Sequence, residues 1–499
     1  MMKNINNIVW LFFMSLFCVA CFEDDNKYDY MELDCVTIEG IDEKYTRVSH
    51  QDILSITPTV TTDADVEYVW ELWTSVRKDG IIYRPDTIGQ SKDLRYEIME
   101  KPGSYYLVFN VKDKKTGVTT MYKSTLDVVT INSIGWYLLK DEGTTEKYTD
   151  YDFIYDGGRI DNWIAFYNDG KKLKGEAVRS IFSSQYSDQA TGGGYNCIDV
   201  LIPVAKEEVA VMEVSSGNIR LPFESLFFES PEVKNFQDIC IQNDEVSVNL
   251  VNDNMVYRMS TRNAALFYRL YGNYSLSKGM KGLLGPTYFD DLSKSFVYVD
   301  YNVNRYVESS TAPASCNNMN AHMLWGSAVS HRIQSNSFFA YALMEKHTMP
   351  DICMLVKMSL NYRTDNPIVE IDTIPLTLGI VTAETRTVNA NYGVIYFVKD
   401  QKLYKYIIDS QHEEPILDLP EGEKVTCMQH VAYPNFMSNY YGSEIDYLAI
   451  ATYVDGKYKV WLHEFDADNL KPLSKPTFEG NGRVACINYV AESSSNFLF

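Results

Sequence analysis

The segment Tyr392–Asp409, which reads YGVIYFVKDQKLYKYIID, decides the fold class. An apolar run leads into a polar turn at Asp400, and a second run rich in lysine and aromatic residues follows it. The segment Tyr447–Trp461, YLAIATYVDGKYKVW, repeats this pattern around Asp455. Aromatic and β-branched runs on either side of a short polar turn are typical of β-hairpins. The sequence therefore predicts a hairpin that recurs along the chain.

Turns of the same kind recur at a near-constant spacing of about 50 residues, near positions 144, 207, 253, 302, 348, 400 and 455. A repeat of this length indicates a stacked or radial array. One hairpin cannot bury both of its faces, whereas blades packed around an axis can, so we predict a β-propeller of about seven blades in residues 131–499. We expect the strand at Val484–Val490 to close the ring with the first repeat. A large irregular β-sandwich is the alternative, and the longer first gap, which contains the glycine-rich segment Thr191–Gly194, fits the propeller least well.

Residues 31–130 predict a second, smaller all-β domain. Apolar side chains share a face with a period of two residues, at Tyr68, Trp70 and Leu72 and again at Tyr105, Leu107, Phe109 and Val111. Several short alternating strands within about 100 residues, without a helical stripe, are typical of an immunoglobulin-like sandwich.

Two of these strands also resemble a PKD domain. Tyr68–Trp70 has the Y-x-W pattern of that family, and Gly103–Asp113, GSYYLVFNVKD, has its G-x-Y and V-x-D pattern. The resemblance implies a module that acts as a spacer or a docking domain. We expect Trp70 and Trp73 to pack in the core and at the sheet edge rather than to form a ligand platform.

Residues 1–20 have the pattern of an export signal. After a positively charged start, Ile8–Phe17 is an apolar stretch too short to span a bilayer, and the small Ala20 precedes Cys21. We predict a signal peptide over these residues and lipidation of the Cys21 sulfur. Several acyl chains on one residue provide a stable membrane anchor. Cys18 stands where such signals usually have leucine, and an ordinary secretory signal is the alternative.

Glu23, Asp24 and Asp25 form an acidic run directly after the predicted lipidation site. The run resembles the tag that Bacteroidetes lipoproteins carry when they are exported to the outer face of the outer membrane. A solvated linker has the same composition and is the alternative. We therefore predict a lipidated acidic linker over residues 21–30 and attachment to the outer membrane, facing the extracellular side.

The composition limits the class of partner. The 499 residues carry a net charge of −22, which repels phosphate backbones, so nucleic acid is not an expected partner. The 37 tyrosines, 23 phenylalanines and 7 tryptophans suit half-buried strands better than helices. The nine cysteines are widely spaced, which favours buried apolar residues over a disulfide framework.

The sequence contains no motif for catalysis, for a metal or for a cofactor. No serine lies in a G-x-S-x-G elbow, Lys278–Gly282 lacks the spacing of a phosphate loop, and His463 has no partner in an H-E-x-x-H arrangement. We predict no catalytic residue, no metal and no cofactor. A propeller glycosidase or lyase, which would use carboxylates on the inner strands, is the alternative.

Three aromatic residues in polar, asparagine-rich stretches that read as loops are candidate ligand contacts, namely Trp325, Tyr440 and Tyr441. Flat rings beside amide groups suit sugar faces or peptide side chains. Packing within the loops is equally compatible with these positions.

Together these segments resemble a family of Bacteroidetes surface lipoproteins with an acylated cysteine, a PKD-like domain and a C-terminal repeat domain. Such proteins accompany outer-membrane transporter pairs of the SusC/SusD type. The likeness reaches the level of residues only at Cys21 and in the PKD-like strands. It implies a non-catalytic accessory binding component of a nutrient importer, whose ligand is an oligopeptide or a glycan. A surface adhesin or scaffold without a small ligand is a further alternative.

Overall fold

The structure is a computed structural model, and it describes residues 35–49, 52–74, 85–100, 102–129, 133–187, 197–242, 246–282, 285–331, 337–346, 348–361, 364–389, 393–434, 443–466 and 469–491. Cys21, the acidic run Glu23–Asp25, Tyr440 and Tyr441 lie outside these ranges, as does the domain boundary predicted at residue 130. The chain divides into two compact units, the second of which comprises residues 46–52, 98–103 and 127–499.

The first unit consists of short strands. They are β1 (Thr37–Glu39), β2 (Lys44–Val48), β3 (Ile53–Ile56), β4 (Thr59–Thr61), β5 (Val66–Thr74), β6 (Asp86–Gly89), β7 (Leu94–Glu97), β8 (Gly103–Asp113) and β9 (Thr119–Val129). The five-stranded sheet has the order β2-β9-β8-β5-β6, and β3 with β7 and β1 with β4 form two-stranded pairs. This arrangement is the predicted immunoglobulin-like, PKD-like sandwich.

Trp70 is the centre of the sandwich core. Its side chain is fully buried, and its ring stacks on Phe109 with 4.3 Å between the ring centroids. The indole Nε1 donates to the carbonyl oxygens of Ser91 at 3.1 Å and Lys92 at 3.2 Å, so the one polar atom of the ring is satisfied. Trp73, which points to the other face of the same strand, is 37% exposed. The alternation predicted for this strand is therefore confirmed.

The second unit consists of antiparallel sheets arranged as blades. The first three blades contain β10 (Gly135–Glu142), β11 (Tyr148–Tyr155), β12 (Gly158–Ile160) and β13 (Leu173–Lys174); β14 (Ala177–Ser187), β15 (Cys197–Ala205), β16 (Val211–Glu213) and β17 (Ile219–Leu221); and β18 (Phe236–Ile241), β19 (Ser247–Asn252), β20 (Met255–Ser260) and β21 (Asn263–Arg269). Helix α1 (Trp163–Tyr167) follows β12, and a 3₁₀ turn (Phe223–Ser225) follows β17.

The remaining blades follow in chain order. The fourth contains β22 (Thr287–Asp290), β23 (Ser295–Val299) and β24 (Val303–Arg305), and the fifth contains β25 (Ala321–His331), β26 (Ser337–Lys346), β27 (Ile352–Ser359) and β28 (Ile368–Pro375). After helix α2 (Gly379–Thr382), the sixth contains β29 (Thr385–Asn389), β30 (Val394–Lys399), β31 (Lys402–Ile407) and β32 (His412–Asp418). The seventh contains β33 (Lys424–Pro434), β34 (Ser443–Val454), β35 (Lys457–Asp466), β36 (Asn469–Leu470) and β37 (Phe478–Asn481).

The last strand of the chain closes the ring. Strand β38 (Arg483–Val490) pairs antiparallel with β10 of the first blade, in a register that places Val490 opposite Gly135 and Arg483 opposite Asp141. The first blade therefore combines strands from both ends of the unit. The predicted seven-bladed propeller and the predicted closing strand are both confirmed.

Six of the seven predicted turns occupy the same place in their blades, between the second and third strands. The turn near residue 302 instead joins the third and fourth strands, β23 and β24. The strand count of this blade differs because its innermost strand is reduced to an isolated bridge between Met280 and Thr287, so β22 is the second strand. The long first gap arises because α1 and β13 are inserted after β12, which is the fourth strand of the first blade when β38 is counted as the innermost.

Apolar side chains fill the spaces between neighbouring blades. Each of the seven interfaces has a cluster of its own, represented by Leu201, Ile239, Tyr288, Ala342, Ile395, Ile450 and Leu138. Every blade therefore buries both faces against its neighbours, and a continuous apolar core runs through the ring between the blades. Among the described residues, no helix is both long and apolar enough to cross a membrane. The described cysteines form no disulfide, and five of the seven are buried, as predicted.

Candidate functional site

The innermost strand of each blade faces a central cavity of about 470 Å³. Strands β14, β18, β25, β29, β33 and β38 line it together with residues 277–281 of the fourth blade, so all seven blades contribute. A volume of this size lies within the range of small-molecule sites. The cavity is the candidate functional site because most of its lining sits on paired strands, which hold side chains more rigidly than loops do; residues 277–281 are the irregular part.

An ion pair between Arg179 and Asp238 joins the second and third blades across the lining. Arg179 Nη1 donates to Asp238 Oδ1 at 2.9 Å, and the buried carboxylate also accepts the backbone N–H of Gly279 at 2.8 Å through Oδ2. Burial alone would lower the pKa of Arg179, but the charge and the hydrogen bond of Asp238, together with the influence of Cys240, outweigh burial and raise that pKa. Arg179 therefore stays charged, and Asp238 is fully engaged.

Arg386 is held in place by the end of helix α2. Its guanidinium donates to the carbonyl oxygens of Ile380 and Val381, the latter at 2.6 Å. These carbonyls lie near the C-terminal end of the helix, where partial negative charge favours a cation. Burial lowers the pKa of Arg386, yet an arginine remains charged at any physiological pH.

Lys278 reaches the cavity from the segment before the fourth blade. Solvent contacts its side chain within the cavity, and Nζ makes no ion pair or hydrogen bond with any residue in the described ranges. The side chain is exposed to the solvent that fills the cavity, but the surrounding walls reduce its solvation, and this desolvation, followed by the repulsion of Arg179, lowers the pKa of Lys278. Lys278 is therefore a cation without a counter-ion in contact with it among the residues that the structure describes.

The lining as a whole is basic. Among its described residues, the charged groups are Arg179, Lys278, Lys281 and Arg386 against the single carboxylate of Asp238. The whole chain has the opposite balance, with 45 basic and 67 acidic residues. Low-dielectric walls focus the field of such a cluster, so the cavity favours anions even though the chain as a whole repels them.

Polar groups of the first and seventh blades complete the lining. Ser180 Oγ contacts the Asn488 side chain across the blade interface, and Gln429 Oε1 accepts the backbone N–H of Ile487 at 2.8 Å. His430, almost fully buried, lies 2.6 Å from Asp446 Oδ1 through Nε2. These contacts fix the side chains on this side of the cavity.

Three cysteines, Cys240, Cys427 and Cys486, also line the cavity. Burial raises the pKa of Cys240 to about 12 and raises that of Cys427 well above its usual range. Both thiols are therefore protonated near neutral pH, whereas nucleophilic attack and metal binding need the thiolate. In the part of the chain that the structure describes, no group of three or more His, Cys, Asp or Glu side chains is placed to hold a metal ion.

Glycoside hydrolysis commonly uses two carboxylates that flank the scissile bond. The described lining contains one, Asp238, and both of its oxygens already accept hydrogen bonds. The carboxylate pair on which the alternative of a propeller glycosidase depends is therefore not among the described lining residues. The expectation that the chain is not an enzyme stays a prediction.

The candidate aromatic contacts differ in their placement. Trp325 lies in strand β25 and not in a loop, because the asparagine-rich stretch ends at Asn320 and the strand begins at Ala321. The half-buried Trp325 ring packs against the apolar cluster between the fifth and sixth blades, beside the cavity-lining Gly326. Tyr440 and Tyr441 are outside the described residues. A ligand-binding role for these three residues stays a prediction.

The basic lining has no counterpart among the motifs of the sequence. Arg179, Asp238, Lys278 and Arg386 lie on different blades, far apart in the chain, and none belongs to a motif. The segment Lys278–Gly282 lacks the spacing of a phosphate loop, so its sequence does not indicate a binding site. The local signal for this site is weak because ring closure, and not sequence proximity, brings its members together.

Comparisons with known proteins agree with the N-terminal resemblance. Residues 21–176 match the model of the PKD-like family, which covers the sandwich and continues into the first blade. No curated protein matches the sequence.

Solved structures similar to this chain include a quinonprotein alcohol dehydrogenase-like protein of Bacteroides thetaiotaomicron. It is 14% identical, with a TM-score of 0.41, and the match covers 85% of this chain and 92% of that one. Another is the WD40 domain of SCAP from fission yeast, which is 10% identical with a TM-score of 0.32, over 63% of this chain and 73% of that one.

Proposed function

We propose that this chain is a surface lipoprotein that acts as a non-catalytic accessory binding component of a SusC/SusD-type nutrient importer. The observation that carries the proposal is the combination of a PKD-like sandwich with a seven-bladed propeller that holds a polar axial cavity. The ligand is an oligopeptide or a glycan fragment small enough to reach this cavity.

The anchoring half of the proposal rests on the N-terminal sequence. An apolar stretch of signal-peptide length is followed by Ala20 and Cys21, and the acidic run Glu23–Asp25 comes next. Several acyl chains on Cys21 would bind the membrane stably. The PKD-like sandwich then serves as a spacer between the anchor and the propeller.

The binding half rests on the cavity. Its volume fits a small molecule, and its lining offers both hydrogen-bonding groups and apolar side chains. Its position on the axis gives the ligand contacts with several blades at once. A binding component supplies recognition without chemistry, which is consistent with a described lining that has one carboxylate, already engaged, and protonated thiols at Cys240 and Cys427.

The test compares Cys21→Ser with Cys35→Ser, a control at an exposed cysteine fourteen positions further along the chain. Cells are labelled with radioactive palmitate, membranes are separated, and the tagged chain is purified in mild detergent. We expect wild type and Cys35→Ser to carry label, to fractionate with the outer membrane and to co-purify with a SusC/SusD-type pair. Cys21→Ser should lose the label and the membrane fraction.

Two results would overturn the proposal. The first is a Cys21→Ser chain that stays membrane-bound and labelled. The second is a wild-type chain that is lipidated but brings down no transporter pair from membranes that contain one.

A further inference from the structure

The charge of the axial cavity is opposite to that of the chain. Acidic residues outnumber basic ones by 67 to 45 in the whole sequence, yet the described cavity lining holds four basic side chains and one carboxylate. Like charges that face a shared space repel one another, and this repulsion costs stability unless a counter-charge offsets it. Within this cluster, Lys278 has no counter-charge in contact with it among the described residues, so the cavity favours an anion at that position.

The four cations are not equivalent. Arg179 is paired with Asp238, and Arg386 donates to the carbonyls of helix α2, so the packing of the propeller accounts for both. Lys281 also has an interaction partner. Lys278 has neither kind of contact with the described residues, and it lies close enough to Arg179 to be repelled by it. Contacts within the propeller therefore explain the presence of a charge at Lys278 less well than at the other cations.

We propose that the axial cavity binds the carboxylate group of a small ligand, with Lys278 as its principal partner and Arg179 close by. Ammonium and guanidinium groups form strong charge-assisted hydrogen bonds with carboxylates. The apolar side chains of Phe182, Ile241 and Val388 also line the cavity and offer contacts to the body of the ligand. The inference rests on one part of the proposed function, that the chain binds a small ligand. It adds that this ligand carries a carboxylate.

A carboxylate ligand could come from two sources, an acidic sugar or an acidic peptide. Both present the same group to Lys278, and the cavity volume of about 470 Å³ admits a small unit of either. The probes for the experiment are therefore chosen in pairs. Trigalacturonate is compared with neutral galactotriose, and N-acetylglutamate with its neutral diamide.

The experiment measures binding of each probe by titration calorimetry to the full chain in detergent micelles. We expect at least one carboxylate probe to bind about tenfold or more tightly than its neutral partner, since hydrogen bonds to charged groups have this magnitude. Binding of trigalacturonate alone identifies the sugar source, and binding of N-acetylglutamate alone identifies the peptide source. If neither carboxylate probe binds, or if charged and neutral probes bind equally, the proposal is wrong.

The matched variants are Lys278→Gln and Lys471→Gln. Lys471 is an exposed lysine outside the cavity, paired with Glu464 at 2.6 Å, so its replacement makes the same charge change at the surface. We expect Lys278→Gln to lose about tenfold in affinity and Lys471→Gln to match wild type. Unchanged affinity in Lys278→Gln, or an equal loss in both variants, would contradict a site at Lys278.

The wild-type chain provides a measurement that does not depend on a folded variant. Affinity for the carboxylate probe should fall as sodium chloride is raised, whereas binding of a neutral probe should not change. Failure of the two proposals can be told apart, because anion binding in micelles needs no transporter. A chain that binds carboxylates but does not co-purify with a SusC/SusD-type pair overturns the proposed function alone. A chain that co-purifies with such a pair but binds no carboxylate probe overturns this inference alone.

Discussion

Tyr458 donates a hydrogen bond of 2.6 Å from its hydroxyl to Asp152 Oδ2, and this bond joins the seventh blade to the first across 306 residues of sequence. The fully buried Asp152 carboxylate also accepts from Arg159 at 2.7 Å and pairs with Lys140 at 2.9 Å. Closure of the propeller therefore rests on this polar network as well as on the pairing of β38 with β10.

Replacing Tyr458 by phenylalanine keeps the ring and removes both this hydrogen bond and the one that the hydroxyl accepts from Arg159 at 2.8 Å. We expect the free energy of unfolding to fall by about 1–3 kcal/mol, because the acceptor is a buried charged group. Urea denaturation followed by tryptophan fluorescence measures the change. Tyr453→Phe is the control, since this half-buried tyrosine lies in the same blade and its hydroxyl has no hydrogen-bond partner among the described residues. Equal stability of the two variants would show that the hydrogen bonds of the Tyr458 hydroxyl contribute nothing to stability.

Replacing Trp70 by alanine tests the core of the sandwich. The lost contacts with Phe109 and the cavity left behind should cost about 3–5 kcal/mol. Trp73→Ala removes the same side chain from the more exposed face of the strand and should cost much less. Thermal unfolding of the full chain, with limited proteolysis to detect an unfolded N-terminal unit, measures both. A similar loss in the two variants would contradict the assignment of Trp70 as the core residue.

The hairpins were predictable because their signals are local. In the segments Tyr392–Asp409 and Tyr447–Trp461, apolar and aromatic runs flank Asp400 and Asp455, and both aspartates adopt a left-handed backbone, with φ of 49° and 48°. Aspartate tolerates this conformation better than most residues, so the turn is encoded where it forms. The same holds for the alternation around Trp70 in the sandwich.

The axial site was not predictable because its members come from different blades. Arg179, Asp238 and Lys278 come together only where consecutive blades pack against one another, and each resembles an ordinary polar residue in the sequence. Trp325 was predicted to lie in a loop because it follows an asparagine-rich stretch. The structure places it within a strand, where its ring packs against an apolar cluster. The regular spacing of hairpin turns along the chain predicts the blades. Which side chains line the axial cavity depends on how the blades pack together, and the spacing does not show this.

Asp150 should make the stability of the propeller depend on pH. Burial raises its pKa from 3.8 to about 7, although its carboxylate accepts the backbone N–H groups of Tyr151, Ile164 and Ala165. Between these two values the folded chain holds a proton that the unfolded chain has released. The contribution to stability is therefore complete below about pH 4 and is lost as pH rises toward 7, at about 1.4 kcal/mol for each unit of difference in pKa.

Urea denaturation at intervals between pH 4 and pH 8 measures this dependence. In Asp150→Asn the side chain no longer titrates, so the profile of this variant should be flatter than that of wild type over the same range. Parallel profiles for the two proteins would show that Asp150 has the same pKa in the folded and unfolded chains.

Affinity of the axial cavity for a carboxylate should fall as pH rises through the lowered pKa of Lys278, because the ammonium loses the charge that attracts the ligand. The groups that face Lys278 from the neighbouring strands are Arg179, Asp238, Cys240 and Cys427, and the rest of the charged or titratable lining is Lys281, Arg386, His430 and Cys486. The raised pKa values of Cys240 and Cys427 keep these thiols protonated while Lys278 titrates.

Lys278→Arg separates the titration of this residue from that of its neighbours. Arginine keeps its charge throughout the accessible range, so this variant should bind the carboxylate probe with an affinity that stays constant where that of wild type declines. Calorimetric titrations of both proteins at intervals from neutral to alkaline pH measure the difference. A decline of the same size and midpoint in Lys278→Arg would assign the titrating group to another residue of the lining, and Lys278 would no longer be the principal partner of the anion.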